Sequence, residues 1–206
     1  VLECSLVIML DYQIVRPEVI EEQHVRRLVR HHRGGQLTES LMETRRSVRR
    51  FKPDMLPSDV IDQIIKAGTY AATGMNRQSP IIIAVTNKEM RDRLSQMNAK
   101  IMGADTDPFY GAPVVLVVLA KKEMPTYIYD GSLVMGNMML EAHALGLGSC
   151  WIHRAKEEFE TEQGKQLLQK LGITEEYVGV GHCIVGYPDC EAPKTPDRKP
   201  NRVYSI

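Results

Sequence analysis

Apolar residues along the chain form short continuous runs, with helical patterns between them. The runs Ile81–Val85 and Pro113–Ala120 are rich in β-branched residues, which is typical of buried strands. The segment Asp130–Leu145 is apolar nearly all round, which predicts a helix buried within the fold or across a subunit interface. Glycines replace alternate side chains in Tyr177–Gly186, so we expect a strand that another element approaches closely.

Helical patterns lie between these runs. Pro57 opens one helix, Lys88–Met102 forms another, and Ala155–Leu171 is predicted to be an acidic, exposed helical stretch. Because helices and strands are mixed along the chain, the pattern predicts an α+β fold with a mostly antiparallel or a mixed sheet.

Residues 1–36 differ in texture from the rest and are interpreted as an N-terminal extension to a body that spans residues 37–206. A basic amphipathic helix is predicted over Pro17–His32, with Gly34 and Gly35 after it. Such a helix can bind nucleic acid or lie on a membrane. The alternative is an extension that packs on the body or stays mobile.

The charge balance, the cysteines and the apolar runs of the sequence limit the classes of function that the protein can have. Lys plus Arg and Asp plus Glu both count 26, so the net charge is zero, which argues against a nucleic-acid partner. The four cysteines contain no CxxC pair and are interpreted as reduced thiols of a cytoplasmic protein. The apolar runs are too short to span a bilayer, so no membrane partner is expected.

The segment Arg45–Arg50 holds four arginines and one serine in six positions. A short helix is predicted before it, and Pro53 biases the chain out of helix after it. Guanidinium groups at such a turn can fork onto phosphate oxygens, with Ser47 donating a further hydrogen bond. A solvated basic helix end is the other interpretation of the same residues.

The segment Ala71–Pro80 is small and polar, with Asn76 and Gln78 two residues apart. It is interpreted as a loop whose backbone can approach a flat ligand closely, or as a plain connection between a helix and a strand.

Familiar catalytic patterns are missing from the sequence. It has no GxGxxG after a strand, no GxxxxGK[ST], no HExxH and no GxSxG. His143, His153 and His182 are scattered and Cys150 lies in a predicted strand, so none of them is assigned as a catalytic base or nucleophile. The sequence therefore offers an anion-binding site but no candidate general acid or base. This combination indicates that a bound cofactor carries the reaction, with no catalytic side chain and no metal.

Several motifs occur together in an order and spacing that resemble the nitroreductase family of FMN-dependent oxidoreductases. The resemblance runs from about Leu37 to the C-terminus. It rests on Glu43–Phe51, Ala71–Gln78, Phe109–Pro113, Asn137–Ile152, Gly186–Pro188 and Arg198–Lys199.

The resemblance implies a three-layer α-β-α fold with a mostly antiparallel central sheet, built as an intertwined homodimer with FMN at the subunit interface. It implies that the arginine turn and two C-terminal cations hold the FMN phosphate, ribityl chain and one ring edge: Arg45, Arg46, Ser47, Arg49, Arg198 and Lys199. It implies further flavin contacts from the other subunit by Ala72, Thr73, Gly74, Asn76 and Gln78, and near the reactive edge by Trp151, Ile152, His153 and Arg154.

The activity implied is hydride transfer from NADH or NADPH through flavin N5 to a nitroaromatic, quinone or similar acceptor by a ping-pong mechanism. Two alternatives remain open from the sequence. One is a different flavin reaction on the same scaffold, such as dehalogenation or azoline oxidation. The other is a non-enzymatic binding protein that uses the basic N-terminal helix.

Overall fold

The computed structural model of the protein describes residues 38–206 in full and, before them, the backbone of two short strands. The chain divides into two units, Val1–Glu43 and Thr44–Ile206. In the first unit, β1 (Ile8–Leu10) pairs antiparallel with β2 (Gln13–Val15), and residues 38–43 are helical. The helix predicted over residues 17–32 and the boundary predicted between residues 36 and 37 lie outside the described residues.

The second unit alternates helices and strands. In chain order its elements are α1 (Ser58–Thr69), a 3₁₀ turn (Gly74–Asn76), β3 (Ile81–Val85), α2 (Lys88–Met102), β4 (Val114–Lys121), α3 (Tyr127–Ala144), β5 (Gly148–Ile152), α4 (Ala155–Glu160), α5 (Glu162–Lys170) and β6 (Tyr177–Gly186).

The four strands β3 to β6 form one sheet in the order β3-β4-β6-β5, and every pair is antiparallel. Strand β4 is central, and residues 114–120 are buried, as its β-branched run predicts. Glycines in β6 admit close neighbours as expected: a Cβ on Gly179 would lie 2.2 Å from the Ala155 carbonyl oxygen. The predicted α+β class with an antiparallel sheet is confirmed.

Helices cover both faces of the sheet, which confirms the predicted three layers. On one face, α1 and α3 bury Ile61, Ile64, Met135 and Met138 against β4 and β6. On the other face, α2, α4 and α5 bury a second cluster that includes Leu94, Phe159 and Leu168. No helix among the described residues is long and apolar enough to cross a membrane.

The stretch Ala155–Leu171 is helical as predicted, but it forms two helices and is not exposed throughout. The stretch breaks at Thr161, whose hydroxyl donates to the Glu158 carbonyl at 2.7 Å and accepts from the Gly164 amide at 3.1 Å. Thr161 has an extended backbone and caps the N-terminus of α5. The acidic composition of the stretch gives no sign of this break. Glu158, counted among the exposed acidic residues, is fully buried.

Candidate functional site

The arginine segment lies along the free edge of the sheet. Ser47 forms a parallel bridge with Ser149 of β5, and the Val48 amide donates to the Ser149 carbonyl at 3.0 Å. Further along, Phe51 bridges Pro188, beyond the end of β6. Val48 and Phe51 are buried, so the backbone between them is fixed while Arg49 and Arg50 are exposed.

The arginine side chains differ in burial. Arg45, Arg46 and Ser47 are half-buried, whereas Arg49 is exposed. The Nη1 atom of Arg45 is buried and has no hydrogen-bond partner among the described residues. Arg46 Nη1 donates to the Arg45 carbonyl. A buried guanidinium nitrogen without an acceptor is costly, so this position favours an anion.

His143, at the end of α3, lies beside this arginine pair. Its Nε2 is 2.9 Å from the Thr44 hydroxyl. Partial burial and then the positive charges of Arg45 and Arg46 lower the pKa of His143 below its ordinary value of 6.5. The pKa of the imidazole therefore depends both on its partial burial and on the charge of the arginine pair.

A cavity of about 490 Å³ opens next to the same segment. Five predicted site residues line it: Arg49, Trp151, Ile152, His153 and Arg154. The other lining residues are Met102, Thr106, Asp107, Pro108, Tyr110 and Cys150. A shallower depression of about 640 Å³ along α2 shares Thr106 and Asp107 with it. The smaller cavity is the better candidate site because the arginine turn and the end of β5 converge on it.

Asp107 organises the loop that forms one wall of the cavity. Its carboxylate accepts from the Ser95 hydroxyl at 2.6 Å, from the Phe109 and Gly111 amides at 2.9 and 2.7 Å, and from the Arg91 guanidinium. Burial raises the pKa of Asp107, but these hydrogen bonds outweigh burial, and its pKa lies below its ordinary value. Asp107 is thus an ionised structural anchor whose charge Arg91 balances.

The corner between β5 and α4 forms another part of the cavity wall. Arg154 has a left-handed backbone with φ of 77°, which costs a non-glycine residue roughly 1–2 kcal/mol. Its Nε donates to Asn98 Oδ1 at 3.0 Å, and Asn98 Nδ2 donates to the His153 carbonyl at 2.9 Å. Asn98 is fully buried on α2, so it ties the corner to a rigid helix.

Trp151 lies on the other side of the sheet from its neighbours. Alternation along β5 places Cys150 and Ile152 in the cluster under α2, and Trp151 packs with the cluster under α1 and α3. A Cβ on Gly181 would lie 2.2 Å from Trp151 Nε1, so the glycine makes room for the indole. Cys150 and Cys183 are buried free thiols, and burial raises the pKa of Cys183 to about 12.

The predicted flavin loop is held in an unusual conformation. Met75, Asn76 and Gln78 have φ of 50°, 53° and 49°. The Gly74 amide donates to Asp130 Oδ1 at 3.0 Å, and the Thr126 hydroxyl donates to the other oxygen of Asp130 at 2.9 Å. The N-terminal turn of α3 therefore fixes the loop.

The structure separates the predicted site residues of one chain into groups. Thr73 and Gln78 line a second cavity of about 370 Å³ between α1, β3 and α3, apart from the cavity at the arginine turn. Ala72 and Asn76 are exposed and Gly74 is half-buried. Arg198 and Lys199 are exposed in the C-terminal segment.

Sequence reasoning missed the residues that support the site. Asn98, Asp107 and Asp130 lie far along the chain from the side chains that they hold. The segment Phe109–Pro113 gave a signal near the cavity loop, because it belongs to the resemblance. Asn98 gave none, since an asparagine within a polar helix is ordinary.

Comparisons with known proteins identify the class. The sequence profile of the Nitroreductase family matches residues 42–108 and 100–187, and the chain belongs to this family. A relative from Archaeoglobus fulgidus, named "Putative NADH dehydrogenase/NAD(P)H nitroreductase", is 30% identical over 154 residues, which are 73% of this chain and 85% of the relative.

Solved structures agree with the family. A nitroreductase with bound FMN from Bacteroides fragilis superposes with a TM-score of 0.75 at 24% identity, over 82% of this chain and 98% of that one. An FMN-dependent nitroreductase from Clostridium difficile is 29% identical with a TM-score of 0.64, over 76% of this chain and 90% of that one. The predicted membership of the nitroreductase family is confirmed.

Proposed function

We propose that the protein is an FMN-dependent oxidoreductase that passes electrons from NADH or NADPH to a nitroaromatic, a quinone or a similar acceptor. The observation that carries the proposal is the buried Nη1 of Arg45, which has no hydrogen-bond partner among the described residues and lies on the turn whose Arg49 lines the cavity. Family membership and the FMN bound to relatives indicate which anion belongs there.

The arginine turn fits the phosphate of FMN. Arg45 and Arg46 present two half-buried guanidinium groups on one turn, and Ser47 adds a hydroxyl on the same edge. Charge-assisted hydrogen bonds of this kind contribute roughly 1.5–3 kcal/mol each. Arg198 and Lys199, on an exposed segment, would add positive charge.

The cavity fits the flavin ring. Arg49 offers a permanent cation in the lining, and residues 151–154 offer backbone amides and part of the wall. Bound FMN would take a hydride from the nicotinamide and deliver it to the acceptor, so both substrates would use one open face in turn, as a ping-pong mechanism requires. No side chain is needed as acid or base, and Asp107 is already held by Arg91 and Ser95.

We propose that two copies of the chain complete each site. Ile128, Tyr129 and Leu133 of α3 are 49%, 69% and 49% exposed, close in sequence to Asp130, which holds the flavin loop. Three large apolar side chains exposed on one helix are typical of an interface between subunits. A homodimer would place the loop of one chain, with Ala72, Thr73, Gly74, Asn76 and Gln78, against the flavin of the other.

The connection between β4 and α3 is short. It spans residues 122–126 and offers little length for a substrate lid. That observation favours a reductase with an open site over the lidded reactions, dehalogenation among them.

The proposal is tested by separating the two half-reactions without oxygen. The FMN-loaded protein should be bleached by NADH or NADPH alone and should regain its colour when a quinone or nitroaromatic is added afterwards. A loaded protein that neither nucleotide reduces would overturn the proposed function.

A further inference from the structure

Arg154 is the most constrained cation of the cavity. Its backbone is left-handed, its Nε is bound by Asn98, and its side chain is half-buried at the cavity wall. A long side chain normally loses affinity through the cost of ordering it. Here the hydrogen bond to Asn98 already orders the Arg154 side chain before a ligand binds. The guanidinium is therefore pre-organised, and less conformational entropy is lost on binding.

The support behind Arg154 is itself buried and connected. Asn98 Nδ2 also lies 3.2 Å from Glu158 Oε2, and Glu158 Oε2 lies 3.2 Å from His182 Nε2. Asn98, Glu158 and His182 are all fully buried. Asn98 is fixed from both ends of its amide, because Nδ2 donates to the His153 carbonyl and to Glu158 Oε2 while Oδ1 accepts from Arg154.

The charges that line the cavity are unbalanced. Arg49 and Arg154 are permanent cations, and Asp107 is the one carboxylate among the lining residues. Asp107 is already committed to Arg91, Ser95 and two backbone amides. Arg49 can serve the flavin, which leaves Arg154 without a described anionic partner in the cavity. The remaining wall is largely apolar, with Met102, Pro108 and Tyr110.

We propose that Arg154 is a specificity residue that selects acceptors with an anionic group, and that Asn98 is the positioning residue that holds it for this purpose. The substrate class is a flat, reducible aromatic compound with a carboxylate or a similar anion. The ring meets the apolar wall and the anion meets the guanidinium. This inference rests on the proposed function for the reaction itself, but the binding preference is independent of turnover.

A matched pair of acceptors tests the charge preference: 4-nitrobenzoate and its methyl ester, which share the nitro group and the ring. Arg154→Gln should lower kcat/KM for the anion about tenfold or more relative to the ester, through KM, because one charge-assisted bond is lost. Arg154→Lys should recover part of the loss. The control is Lys156→Gln, which removes an exposed cation two residues away and should leave the ratio unchanged.

Calorimetry on the oxidised, FMN-loaded protein gives the second readout. Wild-type protein should bind 4-nitrobenzoate more tightly than the ester, and Arg154→Gln should abolish the difference. Asn98→Ala should weaken binding of the anion in the same direction while binding of the ester stays constant. The Arg154 variants decide the proposal even where Asn98→Ala does not fold.

Two results would overturn the inference. One is an anion-to-ester ratio that Arg154→Gln leaves unchanged. The other is a loss of FMN affinity in Arg154→Gln that accounts for the whole effect, which would assign Arg154 to the flavin. Failure of the wild-type protein to reduce either acceptor would instead count against the proposed function, and the calorimetric preference would still decide the role of Arg154.

Discussion

The Val48 amide donates a 3.0 Å hydrogen bond to the carbonyl of Ser149, and this bond joins the arginine turn to the edge strand of the sheet. The end of the arginine turn is therefore placed by backbone pairing of Ser47 and Val48 with Ser149. The backbone that carries Arg45 and Arg46 is therefore held next to β5. Anchoring of this kind reduces the entropy lost when an anion binds.

Arg45→Gln should weaken FMN binding about tenfold or more and leave the fold intact. The half-buried guanidinium contributes to anion binding, and its removal deletes a buried nitrogen that has no hydrogen-bond partner in the described part of the chain. Flavin fluorescence titration gives the affinity, and thermal unfolding gives the stability. Arg50→Gln is the control because Arg50 is exposed and donates to the Asp189 carbonyl. Equal effects of the two variants would remove Arg45 from the phosphate site.

FMN should raise the pKa of His143. Partial burial and the charges of Arg45 and Arg46 hold that pKa below 6.5, and a bound phosphate would offset the two arginines. NMR titration of the imidazole should show the upward shift with FMN and not with riboflavin, which lacks the phosphate. An identical titration curve with both ligands would contradict an anion at the arginine pair.

The lowered pKa of His143 in the FMN-free protein determines how the stability of the fold depends on pH. His143 has a lower pKa folded than unfolded, so the unfolded chain binds more protons as pH falls through 6.5. Stability of the FMN-free protein should therefore be fully present above pH 6.5 and decline below it. His143→Gln should reduce that decline in urea titrations. A variant that loses stability on acidification just as wild type does would assign the decline to other groups.

Gly181→Ala should displace the only tryptophan of the chain. The new methyl group would lie 2.2 Å from Trp151 Nε1, and overpacking of this kind costs about 1–3 kcal/mol. Thermal unfolding should show the loss, and tryptophan emission should move as the indole shifts. An unchanged emission spectrum with full stability would show that the indole has room to spare.

Leu133→Glu should convert the proposed homodimer into monomers that retain FMN poorly. The leucine is half exposed on α3 beside Tyr129, and a charge there would be desolvated in an interface. Sedimentation velocity measures the assembly and absorbance measures retained flavin. Lys100→Glu, on the exposed side of α2, should change neither. A dimeric Leu133→Glu protein would move the interface elsewhere.

The sequence carries most of the fold because its elements differ sharply in pattern. The β-branched run at residues 113–120 and the glycines of Tyr177–Gly186 permit few alternatives to buried strands. Within the stretch 155–171, the composition reveals neither the capping Thr161 nor the burial of Glu158. Both depend on contacts made after the chain has folded.

The candidate site divides in a similar way. Local motifs bring Arg49 and residues 151–154 together at one cavity, since the turn pairs directly with β5 at Ser149. The roles of Asn98 and Asp107 could not be found from the sequence. They arise from contacts that α2 makes with the cavity loop and with the corner after β5, both distant along the chain. The loop residues Thr73 and Gln78 lie at a separate cavity of the same chain, and their contact with flavin stays a prediction.

The most direct measurement is the affinity of the flavin-free protein for FMN compared with riboflavin. The two ligands share the ring and the ribityl chain and differ only in the phosphate. The account predicts that FMN binds about a hundredfold more tightly, because at least two charge-assisted contacts to the arginine turn are lost with riboflavin. Equal affinities for the two ligands would contradict the central claim that this turn is a phosphate site.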